Sequence, residues 1–315
     1  MGKALIKYVY ICSAGYSGST LLDLLLGSHS RIASLGEIDR LSKNLALNTP
    51  CACGQSVRSC PVWSEVISRV GAKLDMDIMT NPYALNMGYP KDWVVIDRQH
   101  QTRLYLLRRR ILLGLYYLRA SFGAVVPRVL VRPVEQAVAN NVLVFDTVRE
   151  VLGVDAIVDS SKSYLKAVAL YLHDPKSVRI LLLTRDGRGV CWSNLKRGAP
   201  REQAVRNWKN QYARALPLLE RRVKKGHILQ VKYEALTANL TSELTRICAF
   251  IDQPYEPQML DFRSKVHHVT DGNDLRLGGP SKMTADIDWQ KQLTVEDLDY
   301  FERHGGALNR VLGYQ

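Results

Sequence analysis

With 315 residues, 46% of them hydrophobic and 23% charged, the chain is expected to be a globular protein with a sizeable core. Its 43 Lys and Arg against 30 Asp and Glu give a formal net charge of +13, a field that draws anions: nucleotides, acidic glycans, lipid headgroups or nucleic acid. No run reaches the roughly 18 apolar residues of a membrane span, and the basic residues are spread along the chain with no tandem RNA- or DNA-binding signature, so nucleic acid is not an expected partner.

The first segment, Ala4 to Ser13, is rich in β-branched and aromatic residues and reads as a buried strand. It shows no basic region followed by a cleavage site, so no secretory leader is expected and a cytoplasmic location is the default. A Gly/Ser loop from Ser13 to Ser19 leads into a helix over Thr20 to Leu26, and Ala33 to Glu37 reads as a short strand or loop. From Asn48 to about Val151 the pattern is irregular. This stretch holds a cysteine cluster, a Pro- and Tyr-bearing segment from Asn81 to Asp92, and a basic-apolar run from Arg103 to Arg132.

Regular alternation resumes with a strand at Ala156 to Asp159 and a helix from Ser163 to Leu172. A nearly continuous apolar strand, Val178 to Thr184, has the character of a parallel sheet covered on both faces. A polar helix over Arg201 to Lys224, a strand at Ile228 to Lys232, helical spacing over Leu240 to Phe250 and a last helix near Val295 to Val311 complete the chain. Strands alternating with helices predict an α/β protein: a P-loop-type three-layer α/β/α domain, residues 1–315, with a mostly parallel central sheet and a helical insertion at about 48–151.

Of six cysteines, Cys12 and Cys191 sit in apolar surroundings and read as buried thiols. Cys51, Cys53 and Cys60 cluster, but three cysteines fall one ligand short of a structural zinc set and no His lies in that stretch. A disulfide is open chemically, although a cytosolic compartment argues against it. The reading favoured here is a structural loop without metal, and no metal is expected elsewhere. His267 and His268, adjacent rather than at helical spacing, read as a loop feature.

Two segments are suited to anions. Gly15, Tyr16, Ser17, Gly18, Ser19, Thr20 and Leu21 lie between a strand and a helix, where small residues let backbone N–H groups converge on a phosphate at the positive end of the helix. An ordinary strand-to-helix turn is the plain alternative. The loop lacks the Gly-Lys-Ser/Thr of a Walker A motif, because Ser19 stands where the lysine belongs. The second segment starts at Arg185 on a strand tip and runs into a helix carrying Ser193 and Arg197 at i and i+4.

In these motifs the sequence resembles the PAPS-dependent sulfotransferases (PAPS is 3′-phosphoadenosine 5′-phosphosulfate), especially bacterial carbohydrate and tyrosylprotein members. YSGSTLL resembles the family's 5′-phosphosulfate loop, Arg185 and Ser193 its 3′-phosphate signature, and Arg197 a further basic residue of some members. Tyr233 lies in a segment similar to the family's Tyr-Glu-Asp-Leu. Asn273 and Arg276, with Asp288-Trp289 beyond, resemble its nucleotide-covering loop, and CACG…CPVW resembles a loop of some bacterial members. The ordered set runs from about residue 8 to the end, leaving most of 48–151 uncovered.

The resemblance implies PAPS as sulfuryl donor, PAP as product, Glu37 as catalytic base and Lys162 on the leaving phosphate. Arg40, one turn after Glu37, is a candidate for orienting the acceptor, with a surface arginine as the equal alternative. Tyr16 departs from the family pattern, which has Arg or Lys there to neutralise the transition state. The acceptor implied is a hydroxyl on a carbohydrate or glycolipid, with a small-molecule or tyrosine hydroxyl left open. The run Leu104 to Val131 fits a helix pair over the acceptor, a contact with anionic lipid that would make the protein membrane-peripheral, or, the favoured reading, a plain helical subdomain with solvated arginines. A P-loop small-molecule kinase and a non-catalytic nucleotide- or polyanion-binding module are the competing classes.

Overall fold

The computed structural model describes residues 5–87, 103–123, 126–278 and 287–315. Ala4 and positions 88–92 of the expected Pro- and Tyr-bearing segment lie outside the described residues. Among the described residues five strands, all parallel, form one sheet: β1 (Tyr8–Ser13), β2 (Ile32–Ser34), β3 (Ala156–Lys162), β4 (Val178–Thr184) and β5 (Ile228–Lys232), in the spatial order β2-β3-β1-β4-β5. The helices are α1 (Ser19–Gly27), α2 (Leu41–Leu47), α3 (Pro61–Leu74), α4 (Arg103–Phe122), α5 (Arg132–Leu152), α6 (Tyr164–His173), α7 (Gly187–Leu195), α8 (Arg201–Arg222), α9 (Tyr233–Ala238), α10 (Leu240–Phe250), α11 (Trp289–Gln292), α12 (Val295–Phe301) and α13 (Ala307–Val311).

The period of two along each strand splits the core into two layers. On β1, Tyr8, Tyr10 and Cys12 enter one layer while Val9 and Ile11 enter the other; on β4, Ile180 and Leu182 oppose Leu181 and Leu183 in the same way. Helices α3, α5, α6 and α8 cover the first face, and α1, α9 and α10 cover the second, which gives the expected three layers. Leu22, Leu25 and Leu26 of α1 are fully buried, each contributing about 1.5–3 kcal/mol over exposure. Cys12 and Cys191 are buried thiols, as their surroundings implied.

The stretch read as irregular proves largely helical. Of the readings open for Leu104 to Val131, the helix pair does not form: the stretch is one 20-residue helix, α4, stopped by Gly123 at φ 74° and followed, after Pro127, by a 3-10 turn at Arg128–Val131. The second helix begins later, at Arg132, with Pro133 in its first turn where its missing N–H costs nothing. The helix expected over Val295 to Val311 forms, as α12 and α13 joined without a break by a π-helical turn at Glu302–Gly306. No described helix is long and apolar enough to cross a membrane.

Topology positions the site. From β1 the chain crosses over α1 to β2 on one side, whereas from β4 it crosses to β5 on the other, so a crevice opens between the carboxyl ends of β1 and β4. Such switch points are where open parallel sheets bind ligands.

Candidate functional site

A cleft of about 720 Å³ occupies that crevice, within the usual range for small-molecule and cofactor pockets. The loop after β1 forms its floor. Tyr16 (φ 62°) and Gly18 (φ 86°) both take the left-handed conformation, which curls the loop just ahead of α1. A side chain at Gly18 would collide with the Tyr233 ring, its Cβ falling 2.5 Å from Cδ2, so glycine is required twice over. The loop is pinned from α8: the Tyr212 hydroxyl donates to the Leu183 carbonyl (2.8 Å) and accepts from the Ala14 N–H (3.1 Å). Ser17 is fully buried against that hydroxyl (3.5 Å) and does not line the cleft, so of the expected loop residues it serves packing instead. Gly15, Tyr16, Gly18, Ser19, Thr20 and Leu21 do line it.

The opposite wall comes from β4 and α7. Buried Arg185 sits over the Tyr233 ring (4.6 Å to the centroid) and donates from Nη1 to the Tyr16 carbonyl (3.0 Å) and the Ser193 hydroxyl (3.3 Å). Arg197 donates to the Ser193 carbonyl (2.6 Å), and its guanidinium lies 4.5 Å from the Tyr16 ring centroid. The helix expected to carry both Ser193 and Arg197 ends at Leu195, so the cation stacked on Tyr16 comes from the turn just past α7. Lys196, which the sequence did not single out, also lines the cleft.

Glu37 and Lys162 meet at the third side, where the Lys162 ammonium hydrogen-bonds Glu37 Oε1. Glu37 is further held by its N–H on the Asp271 carbonyl (3.3 Å) and by Arg40, whose Nε is 3.6 Å from Oε2 and whose Nη1 is 3.7 Å from Asp271 Oδ1. Gly36 makes this approach feasible: at φ 71°, a Cβ there would stand 2.2 Å from the Asp271 carbonyl oxygen.

Beneath the pair lies a buried charge cluster with no counterpart in the sequence reading. Lys166 of α6 is fully buried between Asp39, just past Glu37, and Asp159 of β3 (2.8 Å). Burial alone would lower its pKa, but the two carboxylates hold it above the ordinary lysine value. Ser161 ties the cluster to the strand end by donating to Asp159 Oδ1 (2.5 Å) and accepting from the Asp39 N–H (3.3 Å). The signal was present as charged residues inside apolar patterns, Asp159 in AIVDSSK and Lys166 in YLKAVALYLH.

Asp23 of α1 is also wholly buried; burial first, and then the negative charge of Asp159, push its carboxyl well above the usual range. The folded state thus holds a proton that the unfolded chain releases near pH 4, and stability falls as pH rises from there through the folded value. Asp23→Asn is expected to raise the urea midpoint at pH 7 and to flatten this decline, in unfolding curves taken at several pH values. A variant with an unchanged profile would show Asp23 to be ionised without penalty.

The fourth wall is the loop following residue 268. Asp271, Gly272, Asn273, Asp274 and Leu275 line the cleft, and the Asn273 N–H donates to Thr20 Oγ1 (3.2 Å). Arg276 does not reach it. Its Nη1 donates to the Pro50 carbonyl (2.8 Å) and the Val269 carbonyl (3.5 Å), so the guanidinium braces the loop from behind. Trp289 packs under Arg188 (4.5 Å) rather than lining the cleft. Nearby, the histidine missing from the 51–60 stretch arrives 208 positions downstream of Cys60: ligand atoms of Cys51, Cys53, Cys60 and His268 all lie within 4.8 Å of one another.

The sequence matches a model described as the sulfotransferase family over residues 94–257. Among solved structures, the chain is similar to the sulfotransferase domain of an olefin synthase from Synechococcus PCC 7002 (TM-score 0.54, 17% identity, 100% of this chain and 97% of that one). It is also similar to the sulfotransferase domain from the curacin biosynthetic pathway (0.52, 17%, 99% and 99%). A third likeness is to a sulfotransferase from Mycobacterium avium (0.51, 13%, 99% and 78%). At these identities the structural likeness carries the fold. No curated protein matches the sequence.

Proposed function

Because the chain belongs to the sulfotransferase family, we propose that this cleft takes PAPS as donor and transfers its sulfuryl group to an acceptor hydroxyl, with the whole chain acting as one domain and 48–151 as its helical insertion. The observation that carries this reading is the convergence in one cleft of the loop 15–21, the Arg185, Ser193 and Arg197 group, and the Glu37–Lys162 pair. The donor set fits a bis-anionic nucleotide: backbone N–H groups at a helix start, the Ser19 and Thr20 hydroxyls, and two arginines with bidentate capacity. With Ser19 where a lysine would serve magnesium-bound triphosphate, the loop favours this donor over ATP in a small-molecule kinase. Family membership likewise favours chemistry over a module that merely binds nucleotide or polyanion.

In the transfer, the bond from sulfur to the phosphate oxygen breaks as one to the acceptor oxygen forms. Glu37 accepts the acceptor's proton, and Lys162 neutralises charge on the leaving phosphate. Lys162 starts paired with Glu37, so the donor draws it away from the carboxylate that must act as base. Arg197, stacked on Tyr16, supplies the cation that the loop itself lacks. Positioning and charge stabilisation in a partly enclosed cleft account for most of the gain.

The acceptor we infer is a carbohydrate or glycolipid hydroxyl, approached past Arg40, Asp271 and Asp274, polar side chains suited to a hydroxyl-rich ligand. Lipid proximity has support from α4, which leaves Leu104, Leu107, Ile111, Leu118 and Phe122 exposed beside Arg103, Arg108 and Arg110. The donor test is calorimetric titration with PAP and, separately, with ATP and magnesium. PAP should bind with micromolar affinity, and Arg185→Ala should weaken it by at least about 10–100-fold, since each hydrogen bond to a charged group is worth about 1.5–3 kcal/mol. Binding of magnesium–ATP but not PAP would replace this reading with the kinase.

A further inference from the structure

Four candidate ligands converge beside the cleft without taking part in it. Cys51 and Cys53 sit on a short turn closed by the Pro50–Ser56 bridge and by the Gly54 N–H on the Cys51 carbonyl (3.1 Å). Cys60 precedes Pro61 at the start of α3, and His268 lies on the segment leading into Asp271. The sulfur atoms of Cys51 and Cys60 are 3.8 Å apart, and His268 Nδ1 is 3.2 Å from Cys60 Sγ. A tetrahedral zinc ion with Zn–S of about 2.3 Å requires sulfur–sulfur edges of about 3.8 Å and sulfur–nitrogen edges of about 3.6 Å. The Cys51–Cys60 edge already has that length, and all four ligand atoms lie within 4.8 Å of one another, so small side-chain shifts would close them on an ion.

We propose that Cys51, Cys53, Cys60 and His268 Nδ1 hold a structural zinc ion. Three thiolates and one imidazole form a closed Cys₃His set with no position left for substrate, which is the pattern of a structural rather than a catalytic site. Cys51 and Cys60 are fully buried, while Cys53 and His268 are partly exposed and give the ion a path in. The ligands' backbones are themselves held: Trp63 Nε1 donates to the His268 carbonyl (2.7 Å), the Cys51 N–H to the Gln55 carbonyl (2.8 Å), and the Cys60 N–H to the Ser56 carbonyl (2.8 Å). Outer contacts of this kind fix ligand orientation at metal sites.

The ion would tie the 51–60 turn to the loop that walls the cleft. Alongside it, the Ala52 N–H already donates to the Val269 carbonyl (3.0 Å), Arg276 bridges Pro50 and Val269, and Asp271 receives the Glu37 N–H. A staple at His268 therefore sets Asp271–Leu275 and, through Asp271, the place of Glu37. This does not depend on the donor or the acceptor proposed above. A disulfide between Cys51 and Cys60 is the competing use of the same atoms, and it would leave Cys53 and His268 without a role.

Protein purified from zinc-replete cells and dialysed should contain stoichiometric zinc by inductively coupled plasma mass spectrometry. After chelation, added cobalt(II) should give the thiolate-to-cobalt charge-transfer band and intense visible bands of a tetrahedral site. Cys53→Ser and His268→Gln should weaken zinc by more than about 100-fold, since loss of an outer contact alone costs about 10–100-fold. Chelation should lower the Tm, because metal binding is coupled to folding. Wild-type protein lacking zinc, with either a Cys51–Cys60 disulfide or three readily alkylated thiols by peptide mass mapping, overturns the proposal, and this holds even if the variants fail to fold.

Discussion

Replacing Glu37 with Gln is expected to lower turnover by about 10²–10⁴-fold while PAP binding stays the same or tightens. The substitution keeps the shape that the Asp271 carbonyl and Arg40 hold in place, but it removes the carboxylate proposed to take the acceptor's proton. It also removes the carboxylate with which a phosphate must compete for Lys162. Two measurements separate the effects: PAP release in the presence of an active acceptor reads the chemistry, and calorimetry reads the donor. A variant with near wild-type turnover would remove Glu37 from the role of base. A variant that loses PAP binding in equal measure would make it a donor ligand instead.

Lys166→Met should destabilise the fold by about 3–5 kcal/mol, the usual cost of taking one partner from a buried ion pair. Lys166 is fully buried, and the change strands Asp39 and Asp159 in a region that water does not reach. The urea midpoint should fall accordingly, and adding Asp159→Asn to Lys166→Met should recover part of the loss, a coupling that a simple packing defect would not show. A neutral Lys166→Met would mean that the carboxylates protonate at little cost. Because Asp39 follows Glu37 by two positions and Asp159 precedes Lys162 by three, this cluster anchors both residues of the proposed chemistry from below.

The sheet and its layers were legible because apolar alternation is a local signal. So was the loop between β1 and α1, whose position between strand and helix is visible in the letters. Side-chain direction was not. Ser17 and Arg276 lie in the expected segments, yet one turns to Tyr212 and the other to Pro50, because each finds a hydrogen-bond partner behind the cleft. Tyr212 escaped notice for the converse reason, since nothing near it in sequence marks a site, whereas Lys196 and Asp271 stand beside marked residues and only the fold shows that they too line the cleft. His268 shows the limit most clearly: no spacing rule connects it with Cys60 when the approach is made by folding. Within the basic-apolar run, Gly114 falls inside α4 without ending it, and the helix stops only at Gly123, in the left-handed conformation.

Lys162 sits at φ 71°, a conformation in which lysine is strained and glycine or asparagine is at ease. Selection for stability alone would replace it, and an asparagine codon is a single base change from either lysine codon. Position 162 is therefore a place where folding and the proposed chemistry pull in opposite directions. In a lineage released from the need for turnover, the change Lys162→Asn should come early, ahead of losses in the loop or at Arg185 that the fold itself resists. Such a descendant would keep its cleft, gain stability and, on the role proposed for Lys162, fall silent.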